Sequence, residues 1–401
     1  MKFCDKRRIV ISILAMEFCS LAMSAVSPAL AEIEKVFPNI PHAFFSMLAT
    51  IPPLVCIPFA FLSNYLVRRK MRFRTMAIMG FLCLIIGGIG PYFSSSFISI
   101  VAWRMLFGVG MGLLSPLGTT IIFMFFAKEQ AEIQAGYDIM ANNTGAIIFQ
   151  LFGGILCSSF GWRSTYLIYL ILIPSFLIIL FLFPEPNMVY GVEREEKSNG
   201  KKGHYGLALW KWCFLYFVFC VLFYPLVTDS SSIILNNGYG TAAGASILLT
   251  VYTLGGITGG FVFRMKRIRD MGQRLFAIIF AICSIGFLFI ILSHGLFVMT
   301  IGSFIFGVGY GLFMAAIVVF AGFSVPKDVR PGVITRLLVA AGIGEFLSAF
   351  IMSMVVKLFN SNYERFPFVF SAVVYAVLSL VFLFNSMRNK NRVKIGADNN
   401  F

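Results

Sequence analysis

Apolar runs long enough to cross a lipid bilayer recur twelve times along this 401-residue chain and leave room for little else. A hydrocarbon core is roughly 30 Å thick and a helix rises about 1.5 Å per residue, so a crossing takes about 20 mainly apolar residues. Runs of that length are predicted near residues 9–30, 44–66, 75–94, 97–126, 136–159 and 164–184, and again near 207–233, 242–263, 275–293, 296–323, 331–356 and 366–386. Backbone N–H and C=O groups inside lipid have no water to bond, so each run is expected to be a helix. Hydrophobic residues make up 59% of the chain, charged ones 12%, and the mean hydropathy is +0.88. That composition excludes a soluble globular fold.

The net charge of +15 could point to nucleic acid, but the placement of the basic residues points to topology instead. With a cytoplasmic N-terminus, 27 of the 32 Lys and Arg fall on segments facing the cytoplasm, including Lys2 to Arg8, Arg68 to Arg74, Arg194 to Lys211, Arg264 to Arg274 and Arg388 to Lys394. Only Lys35, Arg163, Lys357 and Arg365 lie on the far side, with Arg104 inside a run. This bias follows the positive-inside rule and predicts that both termini are cytoplasmic. No nucleic-acid partner is expected.

The first thirty residues share features with a secretory leader, ending in Ala29-Leu30-Ala31, but their length, Glu17 and the eleven runs that follow favour an uncleaved first helix. The eight cysteines lie mostly within apolar runs with no C-x-x-C spacing, and His42, His204 and His294 are scattered. No metal site, cofactor or catalytic constellation is expected, so the chain does not read as an enzyme.

Residues 185–206 form the one long polar interruption. They are read as a cytoplasmic linker between a bundle of six helices over 1–184 and a second over 207–387, with a cytoplasmic tail over 388–401. The halves echo one another. Phe107-Gly108-Val109-Gly110-Met111-Gly112-Leu113 in the fourth run returns in the tenth as Phe306-Gly307-Val308-Gly309-Tyr310-Gly311-Leu312, and basic clusters recur at Arg68 to Arg74 and Arg264 to Arg269. Matching motifs at matching positions in the two sets of six indicate an internal duplication. The glycines lie inside an apolar helix with no strand before them, so they read as close helix packing rather than a nucleotide loop.

Several short motifs accompany the duplication. After the second run stand Ala60, Asn64, Val67, Arg68, Arg69 and Lys70; the fourth run holds Arg104 and Gly108; the fifth holds Gly145, Phe149, Gln150, Gly153 and Gly154. Ser27-Pro28-Ala29-Leu30 ends the first run, and Phe160-Gly161-Trp162-Arg163 follows the fifth. With these residues the chain resembles the major facilitator superfamily over essentially its whole length, and most nearly its 12-span drug:proton antiporter branch. The basic end of that family's signature loop is present, while Ala60, Asn64 and Val67 stand where the family has Gly, Asp and Gly. In the fifth run the antiporter-type glycine motif is matched except at its central Gly-Pro. The resemblance implies an all-α membrane protein of two pseudo-symmetric six-helix bundles around a central cavity lined by the first, fourth, seventh and tenth helices. It also implies transport by rocking of the halves, with Asn64, Arg68 and Arg69 at the gating loop.

Charges inside a membrane need a partner, a wet cavity or a route to the surface. Glu17 is placed roughly 13 Å from the inner surface and Arg104 roughly 10 Å from the outer one. Glu17, Ser20, Ser24 and Ser27 fall at helical spacing and form one polar stripe, which is expected to face protein or cavity. Desolvation favours a neutral acid and an approaching cation favours the carboxylate, which is the physics a proton-coupled carrier needs. Glu17 is therefore the leading candidate for proton or substrate exchange, with Arg104 as its modulating partner; the alternative is a static ion pair. Glu345 is a further candidate, with Arg336 on the opposite face of its helix. Asp138, Asn142, Asn143, Thr144 and Gln150 make the fifth run polar, through helix–helix hydrogen bonding or substrate contact. Tyr216, Cys220, Tyr224 and Thr228 step by four along the seventh run, with Asp229 near its outer end, and Tyr310 stands on the tenth. Ser20, Ser24, Asn142, Tyr216, Tyr224 and Tyr310 are candidate cavity-lining residues.

The chain is accordingly expected to be a monomeric multi-pass protein of a bacterial cytoplasmic membrane. Its expected function is secondary active transport of a small molecule, as proton-coupled efflux of a hydrophobic or cationic compound. The alternatives are a proton-coupled uptake symporter for a small metabolite and, from another class, a non-transporting membrane sensor.

Overall fold

The computed structural model describes residues 3–69, 71–126, 128–183, 207–325, 331–361 and 364–398, and all regular secondary structure among them is helical. Twelve stretches are long and apolar enough to span a membrane: Arg7–Val36, His42–Val67, Phe73–Phe93, Phe97–Ile122, Tyr137–Phe160, Trp162–Leu182, Leu209–Asn236, Ala242–Phe263, Arg274–Ile291, Leu296–Phe323, Val333–Leu358 and Phe366–Met387. They are spans 1 to 12 in chain order. The linker expected at 185–206 lies outside the described residues. The last helix, Phe366–Asp398, runs on past span 12 through most of the expected tail. Six spans separate the Arg69 and Arg72 loop from the Arg264 to Arg274 loop, so the two lie on one face, called the basic face below.

Two hydrophobic clusters divide the chain. One runs from Ile9 to Phe183 and takes in Ala242 from span 8; the other runs from Leu209 to Tyr375. The second is dense in aromatics, with Phe219 and Phe313 stacked at 3.7 Å and 7° and Phe287 and Phe306 at 4.4 Å and 3°. Lipid tails are as apolar as these side chains, so close packing of small residues, not burial from water, holds the spans together. The repeated glycines show it. A Cβ on Gly108 or Gly112 would fall 2.7 or 2.6 Å from backbone oxygens of span 2, at Pro52 and Cys56. Their counterparts Gly307 and Gly311 are pressed in the same way against Tyr252 and Gly256 of span 8. Gly110 meets span 3 at Gly80, and Gly309 meets span 9 at Cys283. Corresponding glycines thus seat corresponding helices in the two halves.

Four spans are not continuous α-helices; the simplest case is span 3, which ends as a 3-10 helix over Gly90–Phe93. Span 1 is α-helical over Phe3–Phe18, tightens to a 3-10 helix over Ala22–Ala29, and returns to α-helix over Leu30–Val36. Bonds from the Ser20, Ala22 and Ser24 amides reach only three residues back, to Glu17, Cys19 and Leu21. Pro28 lacks an N–H and crowds the carbonyl four residues before it, which disfavours an α-turn there. Glu17, Ser20, Ser24 and Ser27 therefore do not share one α-helical face: Ser27 is buried, and Ser24 Oγ donates to the Leu21 carbonyl at 2.7 Å. Span 7 breaks at Tyr224, before Pro225, and again at Asp229. Span 6 begins as a 3-10 helix over Trp162–Ile171.

The halves meet along spans 2 and 11 and along spans 5 and 8. Gly342 packs on Ile57, Gly154 packs on Ser246, and the Thr253 hydroxyl donates to Gln150 Oε1 at 3.2 Å. Toward the face opposite the basic loops, Phe44 and Phe350 stand edge to face at 6.0 Å, and the end of span 1 touches that of span 7. The two halves therefore touch at that face.

Candidate functional site at the break in span 1

Glu17 occupies the last turn of the first helix, where the ladder changes from four-residue to three-residue bonds. Its carboxylate lies against span 4: a Cβ on Gly118 would fall 2.6 Å from Glu17 Oε1. Asn142 and Asp138 of span 5 lie beside it. Asp138 is buried and accepts a bond from Gln134 Nε2 at 3.1 Å. Span 5 comes this close because Gly145 sits directly on the Phe18 carbonyl and Gly153 on that of Ala25. Among the described residues no Lys, Arg or His stands within ion-pairing distance of Glu17 or Asp138. The described side chains there can hold a proton or a cationic group, and they supply no positive charge to an anion.

Arg104 does not serve as the partner of Glu17. Its guanidinium is fully buried; Nε donates to the Leu48 carbonyl at 2.7 Å, Nη1 to Tyr169 Oη at 2.9 Å and Nη2 to the Met23 carbonyl at 3.2 Å. The Phe107 ring adds a cation–π contact at 5.0 Å. Arg104 thus ties spans 1, 2, 4 and 6 together. The reason is geometric. Met23 offers a carbonyl from the 3-10 segment, on the side of the break away from Glu17, and three neutral acceptors take one bond from each guanidinium nitrogen without a carboxylate.

Glu345 lies on span 11, half-buried, with Cys56 of span 2, Tyr216, Cys220 and Tyr224 of span 7 and Tyr310 of span 10 in its electrostatic surroundings. Gly344 seats this helix on the Phe217 carbonyl, and Ser348 Oγ donates to Val221 O at 2.7 Å. Of the candidate cavity tyrosines, Tyr216 is packed away, its hydroxyl on Met314 Sδ at 3.1 Å and its ring 5.7 Å from Phe313. Tyr224 is also buried, while Tyr310 is half-buried, with Tyr252 at 5.2 Å. Glu17 with Asn142 and Glu345 with Tyr310 form two separate acidic places, one in each half. In the loop expected to gate, Asn64 is exposed, Arg69 Nε donates to Tyr65 Oη at 3.0 Å, and the side chain of Arg68 lies outside the described residues.

Two features carried no weight in the sequence. Arg365 is buried at the start of span 12 and donates to the carbonyls of Ile290, Ile291 and Ser293 and to Tyr239 Oη. It staples the second half as Arg104 staples the first; an arginine directly before the Phe366-Pro367 helix start was the available signal. His42 meets Glu34 and Asp229 at the face opposite the basic loops, and that meeting of two span ends with the second break of span 7 has no signature in residue spacing.

The sequence model of the Major Facilitator Superfamily matches residues 13–260 and 212–399, which together take in nearly the whole chain. The chain belongs to the major facilitator superfamily. It is similar to the probable nitrate transporter NarT of Staphylococcus carnosus (strain TM300), with 23% identity over 390 residues and 93% of each chain covered. It is also similar to the nitrite extrusion protein of Bacillus subtilis (strain 168), with 24% identity over 177 residues and 43% of each covered. Among solved structures, a bacterial homolog of the human lysosomal transporter Spinster superposes with a TM-score of 0.71 at 16% identity, covering 97% of this chain and 98% of that one. A D-xylose-proton symporter gives 0.71 at 15% identity, covering 95% and 98%. A facilitator-superfamily chain is a secondary transporter, so the protein moves a small molecule across a membrane.

Proposed function

We propose that the protein is a proton-coupled exporter of a cationic or neutral hydrophobic compound, working by alternating access across a bacterial cytoplasmic membrane with both chain ends inside. The observation that carries this reading is the pair Glu17 and Asp138, set at the break of span 1 with no cation beside them among the described residues. An intramembrane carboxylate in that position is neutralised by a proton or by a cationic ligand. If one site accepts either, proton entry and substrate release become alternatives, and exchange is coupled. Interrupted helices at corresponding places in two repeats mark the binding region of many carriers; here spans 1 and 7 are the interrupted pair. The substrate route runs past Ser20, Ser24 and Asn142 in the bundle over 1–184, and past Glu345 and Tyr310 in the bundle over 207–387. Asn64, Arg68 and Arg69 form the gate at the basic face. This reading places the chain nearest the drug:proton antiporter branch.

A second reading, movement of a small inorganic anion, is favoured by the names of the relatives in Staphylococcus and Bacillus. Against it, the buried cations Arg104 and Arg365 already donate to carbonyls and tyrosines within their own halves.

The test is transport in proteoliposomes carrying an imposed pH gradient, with labelled tetraphenylphosphonium and labelled nitrate as competing candidates. Gradient-driven cation movement that disappears in Glu17→Gln supports the proposal. Nitrate movement with no response to the cation overturns it.

A further inference from the structure

At the face opposite the basic loops, one imidazole stands between three chain segments. His42 is the first residue of the helix that forms span 2. Its Nδ1 lies 2.9 Å from Glu34 Oε1 and 3.0 Å from Glu34 Oε2, both at the end of span 1, and its Nε2 lies 3.5 Å from Asp229 Oδ1 at the second break of span 7. Glu34 and His42 belong to the first half, and Asp229 to the second. The contact therefore bridges the seam between halves, on the same side as the Phe44–Phe350 ring contact.

Both ring nitrogens face acceptors that cannot donate. A neutral imidazole has one N–H and one lone pair, so it can satisfy only one of two carboxylates and turns its lone pair toward the other. The imidazolium has an N–H on each nitrogen and satisfies both. The other charged and polar groups nearby are already engaged. Thr228 Oγ1 donates to Asp229 Oδ1 at 2.7 Å, Lys35 pairs with Glu32 at 3.7 Å, and Glu364 accepts from Asn236 and Asn237. Span 11 presents Phe350, which is uncharged. The positive end of span 2 opposes charge on the ring, but it faces two carboxylates. Side-chain exposures of 48% for His42, 32% for Glu34 and 16% for Asp229 leave the cluster open to water at that face.

We propose that His42 is a proton-operated clasp: protonated, it holds the two halves together at the face opposite the basic loops, and on losing its proton it releases Asp229 and lets that face open. The shorter contact to Glu34 keeps the neutral ring within its own half, so the contact that is lost is the ion pair across the seam. The proton comes from water on that face and returns there when the halves part. This inference rests on the alternating-access reading above and adds a step to it. Proton arrival from outside pulls the carrier into the arrangement closed to the outside, the return step that an exporter needs.

The test is a cross-link between cysteines introduced at the touching rings, Phe44→Cys with Phe350→Cys, formed by a short bifunctional thiol reagent on the full-length protein in membrane vesicles without substrate. Yield is compared at about pH 6 and about pH 10.5, the upper value set high because two carboxylates facing the ring favour the imidazolium beyond the ordinary histidine range. The same pair in a His42→Gln background reports the pH dependence of thiol chemistry alone. The clasp predicts that yield, normalised to that background, falls at least threefold from the lower to the higher pH. It also predicts that Asp229→Asn removes this difference as His42→Gln does. An identical pH profile in all three backgrounds overturns the proposal. The cross-link reads the clasp without transport, so an inert Glu17→Gln leaves it standing, and a flat profile leaves the role of Glu17 untouched.

Discussion

The Glu17 carboxylate rests on the bare face of Gly118, so closely that a single added methyl group would fall 2.6 Å from Oε1. A glycine at that level of span 4 gives the acid its place at the break of span 1. The atom in the way is the far end of a flexible side chain, so Gly118→Ala is expected to fold normally, helped by alanine's helix propensity of about 1 kcal/mol over glycine. The carboxylate must move, however, and transport by Gly118→Ala should fall severalfold at unchanged expression and unchanged melting temperature. Wild-type transport in Gly118→Ala would remove the reason for placing the site there.

Gly145 gives the opposite expectation. A Cβ there meets the Phe18 carbonyl, which is backbone and cannot swing aside. Gly145→Val should separate spans 1 and 5 and cost about 1–3 kcal/mol, as overpacking of a tight interior does. The measurement is a detergent melting curve beside that of Gly118→Ala; equal stability of the two variants contradicts this packing.

Arg104→Ala leaves Tyr169 Oη and the carbonyls of Leu48 and Met23 without their donor in a dry interior. A buried neutral acceptor left without its donor is expected to cost about 1–3 kcal/mol, less whatever the neighbours recover. Arg104→Lys, which retains one of the three bonds at best, should lie between. Whatever transport survives in Arg104→Lys should keep the wild-type pH profile, because the guanidinium bonds no part of the acidic site. A shifted profile would restore Arg104 as the partner of Glu17.

The hydrogen bond from Thr253 to Gln150 joins the halves near the middle of spans 5 and 8. Interhelical bonds in membranes contribute about 0.6 kcal/mol on average, so Gln150→Leu should shift the balance of open and closed forms by roughly threefold. The Phe44→Cys/Phe350→Cys cross-link reads that shift as a lower yield.

Much of the architecture was legible because the bilayer imposes it. Length and hydropathy located all twelve spans, with spans 8 and 10 at the expected bounds of 242–263 and 296–323. The repeated Gly108-x-Gly110-x-Gly112 motif located the duplication, and its glycines proved to meet equivalent neighbours. The site was legible in part. Glu17 stood out as a charge in an apolar run, but its partners did not, because intramembrane contact depends on which backbone breaks and turns. The change to a 3-10 helix after Phe18 sets Ser24 and Ser27 on a different register from Glu17 and offers the Met23 carbonyl to Arg104. Nothing in the spacing of Glu17 and Arg104 records this. Likewise the stepping tyrosines of span 7 predicted a cavity face, whereas Tyr216 and Tyr224 are buried, since aromatic periodicity marks packing as readily as a pore. His42, Glu34 and Asp229 come together only through tertiary structure.

The most direct test of the central role of Glu17 is proton movement in everted membrane vesicles holding a pH gradient, challenged in turn with lipophilic cations, nucleobases, sugars, amino acids and nitrate. The account predicts that a cationic or neutral hydrophobic compound triggers proton efflux from the lumen and that Glu17→Gln abolishes the response at equal protein level. An equal response in Glu17→Gln, or a response to nitrate alone, would contradict it.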